Sequence, residues 1–260
     1  MGRGSGQCQE PDRRALAPRS RSSRESQAIE GERLESHLDE ITPYGTDSEE
    51  IQRALDSYCS DGGKWMNHWA RGGRFVLELF EDEPERYGLT EDDIEEDAFG
   101  AKLSDRFAAR MEAEARELYE AMRRSFESAP RLAHPAIVYR GLRDITGCGL
   151  AAVFGEEGIE IPGEPITDPG FPSTTTKPDI SLEFMPLYEG GAARLRIEVP
   201  AGTPVLWMPR LAFGHIHANA ERELVLPAGG SFEITGCERK HWQGAEFVEL
   251  DARFIPPGRE

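Results

Sequence analysis

The segment SAPRLAHPAIVYRG, residues 128–141, marks the point where the chain changes from helix to strand. Before it, apolar side chains recur at every third or fourth position, a spacing that predicts an amphipathic helix over residues 103–127. After it, AIVYRG is a short apolar run that ends in glycine and predicts a buried strand over residues 136–141. Because helices come first and strands follow, the sequence predicts an α+β fold rather than a parallel βαβ sheet.

Later segments extend the strand-rich half of the chain. RLRIEV, residues 194–199, alternates apolar and polar side chains, as a half-buried antiparallel strand does. ERELVLP, residues 221–227, alternates in the same way. In this interpretation Glu221 and Glu223 share one face of a strand, and Arg222 points to the other face as a spacer or a surface ion-pair partner.

The composition excludes several classes of protein. The 260 residues suffice for one large domain, and the net charge of −18 argues against a groove that neutralises nucleic-acid phosphates. No window reaches the roughly 18 apolar residues of a membrane span, and the first residues lack the apolar core of a secretory signal. The four cysteines are scattered without a CxxC pair, which indicates reduced thiols and no zinc site. We therefore expect neither a nucleic-acid partner nor a membrane partner.

The first part of the chain has a different composition from the rest. Residues 1–38 are rich in Ser, Arg, Gly and Gln and nearly lack large apolar side chains. Such a segment buries too little apolar surface to offset the loss of chain entropy. The sequence therefore predicts a disordered tail over residues 1–38 and a single folded domain over residues 39–260.

Three groups of polar side chains stand at the ends of the predicted strands: Arg140 in VYRG, Ser173 in GFPSTTT, and the pair Glu221 and Glu223. Each has an ordinary structural explanation, as an ion-pair partner, a turn whose hydroxyls bind backbone groups, or a solvated strand end. Two carboxylates on one face raise each other's proton affinity, so the glutamate pair is either solvated or engaged in chemistry.

In this order, an arginine that closes a strand, an aromatic-x-Ser-Thr-Ser/Thr strand and a later Glu-x-Glu resemble the arginine-serine-glutamate class of mono-ADP-ribosyltransferases. This is the class of the actin-modifying binary toxins and related bacterial exoenzymes. The resemblance covers about residues 39–260 and is looser over the helical first half. It implies an α+β domain in which an N-terminal helical segment packs on a core of two antiparallel β-sheets. It also implies NAD as a substrate and no metal.

The resemblance implies a role for each polar position. Glu223 matches the catalytic glutamate, which is expected to bond the ribose 2′-hydroxyl and to stabilise the oxocarbenium-like cation that develops as nicotinamide leaves. Glu221 matches the position that recognises and deprotonates the acceptor, where glutamate goes with arginine acceptors because a carboxylate binds a guanidinium in bidentate fashion. Arg140 is expected to hold the NAD diphosphate, and Ser173 to fix the rotamer of Glu223. Phe184 lies where the toxins place an aromatic residue against the nicotinamide ring, and a core position in a short helix explains it equally well.

The chain departs from the family pattern at three places. Thr175 replaces the second serine of the Ser-Thr-Ser motif and keeps the hydroxyl. Gly141 stands where some of the toxins carry a second basic residue. The segment WMPRLAFGHIHANA, residues 207–220, stands where the family recognises its target and matches no known target type. Within it, Trp207 and Phe213 either grip a protein surface or pack inward.

The resemblance therefore predicts an NAD-dependent mono-ADP-ribosyltransferase, a glycosyltransferase that moves ADP-ribose to an arginine side chain of a target protein and releases nicotinamide. Two alternatives stay open at this point: an NAD glycohydrolase, in which water takes the place of the acceptor, and a catalytically degenerate module that binds NAD or a partner without turnover. We expect a monomer that acts in the cytoplasm of the producing cell or is exported as an effector without a classical signal peptide.

Overall fold

The computed structural model describes residues 28–60, 62–80, 87–97, 100–142, 154–155, 158–159, 161–185, 192–212 and 214–258. No helix in these ranges is long and apolar enough to cross a membrane. The helices are α1 (Gly31–Ile41), α2 (Glu49–Tyr58), α3 (Gly62–Ala70), α4 (Asp105–Ser125), α5 (Pro178–Glu183), α6 (Met208–Leu211) and α7 (Ile216–Glu221). The strands are β1 (Ile94–Asp97), β2 (Gly100–Leu103), β3 (Ala136–Leu142), β4 (Phe154–Gly155), β5 (Gly158–Ile159), β6 (Ile166–Asp168), β7 (Ser173–Thr175), β8 (Ala193–Val199), β9 (Leu206–Trp207), β10 (Glu223–Val225), β11 (Gly230–Trp242) and β12 (Ala245–Ile255).

Eight of the described strands form one hydrogen-bonded array in the order β6-β11-β12-β8-β3-β7-β10-β9, and the pairs β1-β2 and β4-β5 stand apart from it. The array narrows between β3 and β7, where Tyr139 and Thr175 are the register partners. This contact separates a five-stranded sheet from a three-stranded sheet made of β7, β10 and β9, which confirms the α+β class with two sheets. Within the array β8 and β12 run parallel, and residues 200–244 between them provide the long connection that a parallel pair needs.

Helix α4 forms where the sequence predicts it. Ser104 caps its first turn, since the hydroxyl accepts a hydrogen bond from the amide of Phe107 at 3.3 Å. The apolar stripe is buried on one side of the helix, and its second half packs with Leu55 of α2 and with Phe171. Phe171 lies two residues before Ser173, so this core supports the start of β7.

The folded part of the chain begins earlier than the sequence predicts. Residues 31–38 are expected in the tail, but they belong to α1, whose Leu34 and Leu38 are fully buried. Both leucines pack in the apolar cluster that also contains Val138 and Trp207. The apolar face of α1 is narrow and interrupted by charged residues, so composition alone does not reveal it. The predicted disorder of residues 1–27 lies outside the described residues.

The strand that carries Glu223 begins two residues later than the alternation predicts. Helix α7 ends at Glu221, Arg222 takes a left-handed conformation with φ 50° and ψ 50°, and β10 starts at Glu223. The prediction that Glu221 and Glu223 share one strand face is therefore wrong. One glutamate ends a helix and the other begins a strand.

Candidate active site

A cleft of about 890 Å³ opens beside the contact between β3 and β7, with α3 and α5 on its sides. The five residues that the sequence singles out all contribute to its lining: Arg140, Ser173, Phe184, Glu221 and Glu223. They come from β3, β7, the end of α5, the end of α7 and the start of β10. The fold thus brings together side chains that are far apart in the sequence.

Glu223 is held at its place by the neighbouring strand β7. The Ser173 hydroxyl donates a hydrogen bond of 2.5 Å to Oε1 of Glu223. Two residues further along β7, the Thr175 hydroxyl donates to the backbone carbonyl of Glu221 at 2.7 Å. The threonine that replaces the second serine of the motif therefore still supplies a hydroxyl, which binds the residue next to the left-handed turn.

The environment of Glu223 favours its protonated form. The side chain is buried, with 7% of its surface exposed. Burial raises its pKa, the hydrogen bond from Ser173 opposes this, and the charge of Glu221 adds to the rise, so that the pKa stands at about 7. Glu223 therefore exchanges its proton near neutral pH, where a glutamate in water is fully ionised.

We predict that two substitutions move this pKa in opposite directions. Glu221→Gln removes a negative charge and lowers the pKa of Glu223, whereas Ser173→Ala removes the hydrogen bond that favours the carboxylate and raises it. Carbon-13 NMR titration of the glutamate carboxyl groups measures both shifts. Shifts of the same sign in the two variants would show that Glu221 and Ser173 do not act on Glu223 in this way.

A buried carboxylate joins two arginines at another part of the cleft. Asp168, at the end of β6, has 1% of its side chain exposed. Arg71 binds it in bidentate fashion through two contacts of 2.9 Å, and Nη1 of Arg140 lies 3.4 Å from Oδ2. Burial alone raises the pKa of Asp168, but the hydrogen bond from Arg71 and the charges of Arg140 and Arg71 outweigh it and hold the pKa below its ordinary value.

The sequence alone does not single out Arg71 or Asp168. Arg71 directly follows α3, one side of which lines the cleft at the spacing of a helical face: Lys64, Asn67, His68 and Arg71. Asn67 also fixes this helix to the chain before Ser173, because its side chain accepts from the amide of Phe171 at 2.6 Å and donates to the carbonyl of Phe171 at 3.2 Å. The helical spacing in the sequence points to this face, but nothing in it indicates the partner.

Phe184 follows α5, and a glycine lets that helix approach the sheet. A Cβ atom on Gly141 would lie 2.0 Å from the backbone oxygen of Ser181 and 3.0 Å from the Cβ of Phe184. Only glycine therefore allows α5 to pack against β3 at this distance. The half-buried Phe184 ring is thereby placed on the wall of the cleft, which Arg140 of β3 also lines.

The segment 207–220 begins with a tryptophan whose side chain points inward. Trp207 is fully buried, which decides between the two interpretations of that residue. Phe213 lies outside the described residues. In the part of the chain that the structure describes, no group of three or more His, Cys, Asp or Glu side chains is arranged to hold a metal ion.

Comparison with known proteins agrees with this architecture. No protein-family model matches the chain, and no curated protein sequence matches it. Solved structures do share its fold. The C3 exoenzyme of Clostridium limosum superposes with a TM-score of 0.51 at 14% identity, covering 88% of this chain and 98% of that chain. An ADP-ribosyltransferase from Clostridium botulinum gives 0.50 at 15% identity, with 88% and 100% covered. The ADP-ribosyltransferase Vis, in complex with agmatine, gives 0.50 at 14% identity, with 90% of each chain covered. The chain therefore has the ADP-ribosyltransferase fold.

Proposed function

We propose that the protein is a mono-ADP-ribosyltransferase that transfers ADP-ribose from NAD to an arginine side chain of a target protein and releases nicotinamide. The observation that carries this proposal is the buried Glu223 carboxyl, hydrogen-bonded by Ser173 within a cleft that two arginines also line. The cleft thus offers guanidinium groups for an anionic diphosphate and a carboxyl group for a developing sugar cation.

The basic part of the cleft suits the diphosphate of NAD. The guanidinium groups of Arg140 and Arg71 meet at Asp168, which orients both of them before any ligand arrives. A planar guanidinium binds phosphate oxygens through two parallel hydrogen bonds, whereas a lysine offers a single point charge. We therefore assign these two arginines to the diphosphate.

Glu223 supplies the charge that the reaction needs at the sugar. When the bond between the ribose C1′ and nicotinamide breaks, nicotinamide leaves with the bonding electron pair and becomes neutral, and positive charge builds up on the ribose. The ionised Glu223 stabilises that charge at short range in a site from which water is largely excluded. Ser173 holds the carboxylate in one rotamer, so little reorganisation is needed as the charge appears.

Glu221 is placed to serve the acceptor. It lines the same cleft from the end of α7 and is partly exposed, whereas Glu223 is buried. We assign it to bind the acceptor guanidinium and to take the proton that leaves the attacking nitrogen as that nitrogen bonds to C1′. Agmatine, which Vis binds, carries the same guanidinium group as arginine, and this supports arginine as the acceptor.

Glu221→Gln is expected to separate transfer from hydrolysis. Transfer to agmatine should fall by about 10²-fold or more, because the variant loses both the base and the bidentate anion. Nicotinamide release into water should fall much less, since Glu223 and Ser173 are unchanged. Parallel assays of labelled agmatine and of free nicotinamide check this. Equal losses in both assays would contradict the assignment of Glu221 to the acceptor.

The function itself is tested by incubating the protein with labelled NAD and a cell lysate. We expect labelled protein bands, and mass spectrometry of the modified peptides should locate ADP-ribose on arginine. Nicotinamide release at full rate with no labelled band would favour the NAD glycohydrolase. No binding of NAD in a calorimeter would favour a domain that keeps the fold without turnover.

A further inference from the structure

The turn between the two glutamates has a backbone conformation that ordinary residues avoid. Arg222 is left-handed, with φ 50° and ψ 50°, and connects the end of α7 to the start of β10. Side chains other than glycine are disfavoured there, because the Cβ atom crowds the backbone. Because of this turn, Glu221 and Glu223 both line the cleft although they belong to different elements. We call residues 221–223 the reactive turn.

The side chain of Arg222 is bound on the side away from the cleft. It meets Glu35 of α1 through two contacts to Oε2, of 3.1 Å from Nε and 2.5 Å from Nη2. Glu35 has 9% of its side chain exposed, and its other oxygen accepts a 2.7 Å hydrogen bond from the Thr176 hydroxyl. The amide of Thr176 in turn donates to the carbonyl of Arg222 at 3.3 Å. A buried, fully engaged carboxylate thus holds the left-handed residue, which corrects the interpretation of Arg222 as a spacer or a surface partner.

A second acidic residue of α1, Asp39, binds the start of the segment that contains α6 and α7, whereas Glu35 binds its end. The Trp207 indole donates a 2.8 Å hydrogen bond to Oδ1 of Asp39, and Nε of Arg210 lies 3.4 Å from the same oxygen. Glu35 and Asp39 are four residues apart, so they lie on one face of α1. The segment that contains α6 and α7 is therefore bound to α1 at both of its ends, just before α6 and just after α7.

We propose that α1 is a positioning element of the active site and that Glu35, acting through Arg222, sets the placement of Glu221 and Glu223. The inference rests on the proposed function for the roles of the two glutamates, but the contacts that carry it are independent of those roles. Glu35 is not one of the residues that line the cleft. Its removal leaves the guanidinium of Arg222 without its anion and frees the reactive turn to leave the left-handed conformation.

Removal of the Glu35 carboxylate is expected to lower kcat and to leave the affinity for NAD unchanged. Displacement of a catalytic group by about 1 Å is enough to cost roughly 10²-fold in rate. Glu35→Gln is therefore expected to lower kcat for nicotinamide release about 10- to 100-fold. The KM for NAD should stay within about twofold, because Arg140, Arg71 and Asp168 lie on other elements and are untouched. A merely structural defect that reduces the folded fraction would scale the total activity without changing its pH profile.

A second variant approaches the turn from the other side. Arg222→Gly accepts the left-handed backbone without strain but removes the guanidinium, so the chain can fold and still loses the contact with Glu35. We expect the same loss of kcat as in Glu35→Gln, and no further loss in the double variant, because both substitutions break one contact. Glu32→Gln, on the exposed side of the same helix, is the matched control and should keep the activity of the unchanged protein.

The experiment measures KM, kcat and the pH profile of kcat for the unchanged protein, the two single variants, the double variant and the control. A loss of kcat that is shared by the single variants and not deepened in the double variant supports the proposal. Losses that multiply, or a change confined to KM, overturn it. Hydrogen exchange of the amides of residues 216–225 provides a readout that needs no activity. If the unchanged protein releases no nicotinamide, the proposed function fails, and faster exchange in Glu35→Gln than in Glu32→Gln still supports positioning, whereas equal exchange overturns it.

Discussion

Replacing Glu223 by glutamine is expected to lower kcat for nicotinamide release about 10²- to 10³-fold. Glutamine keeps the size of the side chain and still accepts the hydrogen bond from Ser173. It carries no charge, so the positive charge that develops on the ribose meets a neutral amide in a buried site. An assay of free nicotinamide under saturating NAD measures the loss.

The same substitution is expected to stabilise the folded protein at neutral and alkaline pH. The pKa of Glu223 is about 7 in the folded chain against an ordinary value of 4.5. The folded state therefore holds this proton more tightly than the unfolded state, and stability falls as the pH rises from about 4.5 to about 7. Glutamine removes this dependence, which corresponds to about 3 kcal/mol of unfolding free energy above pH 7. Urea denaturation at pH 5 and at pH 8 measures the difference.

Glu233→Gln is the control for both effects. Glu233 is an exposed residue of β11 and does not line the cleft. Its replacement should leave both the rate of nicotinamide release and the pH dependence of stability unchanged. A Glu223→Gln variant that stays fully active would refute the assigned mechanism, and one that is less stable than the unchanged protein at pH 8 would refute the raised pKa. Loss of activity together with a gain of stability is expected where catalysis needs a buried carboxylate whose ionisation destabilises the fold.

The sequence can predict the site because strand ends are readable from local pattern. Arg140 closes an apolar run, Ser173 comes two residues after Phe171, and Glu223 opens another apolar run, so the local pattern places each of them near the end of a predicted strand. Which edges meet follows from the resemblance, and the structure has them meet in one cleft. The alternation predicts that β10 starts at Glu221, whereas it starts at Glu223. Alternation of side chains carries no information about the left-handed turn at Arg222, which depends on a partner in α1.

Contacts between remote charged residues account for most of what the sequence does not reveal. Glu35 lies in a stretch that looks like a polar tail, and Leu34 and Leu38 are the local indication that a helix begins there. Asp168 is the last residue of β6 and lies in a Gly- and Pro-rich region. Aspartate is common in such turn regions, so its presence there does not indicate a buried ion pair. The role of each carboxylate can be recognised only when its arginine partner in another part of the chain is known. Neither the spacing of apolar residues nor helix and strand propensities predict which charged residues pair.

Asp168→Asn is expected to be the most destabilising of the substitutions proposed for this chain. Asp168 is the shared buried anion of Arg71 and Arg140 and also accepts a 3.0 Å hydrogen bond from the amide of Gly170. Asparagine leaves two guanidinium groups facing each other with no negative charge between them. Removing one partner of a buried ion pair typically costs about 3–5 kcal/mol. Urea denaturation at pH 7 should show a loss of this size.

The pH dependence of that loss distinguishes a charge effect from a packing effect. Because the pKa of Asp168 is held below its ordinary value of 3.8, its contribution is fully present above that value and is lost as the pH falls through the lower folded-state value. The unchanged protein should therefore lose stability on acidification in a way that Asp168→Asn does not, so the two proteins converge at low pH. Asp251→Asn removes a half-exposed partner of Arg196 and should cost less than about 1 kcal/mol at any pH. An Asp168→Asn variant no less stable than that control would mean that the two arginines do not depend on Asp168, and their orientation toward a diphosphate would then need another cause.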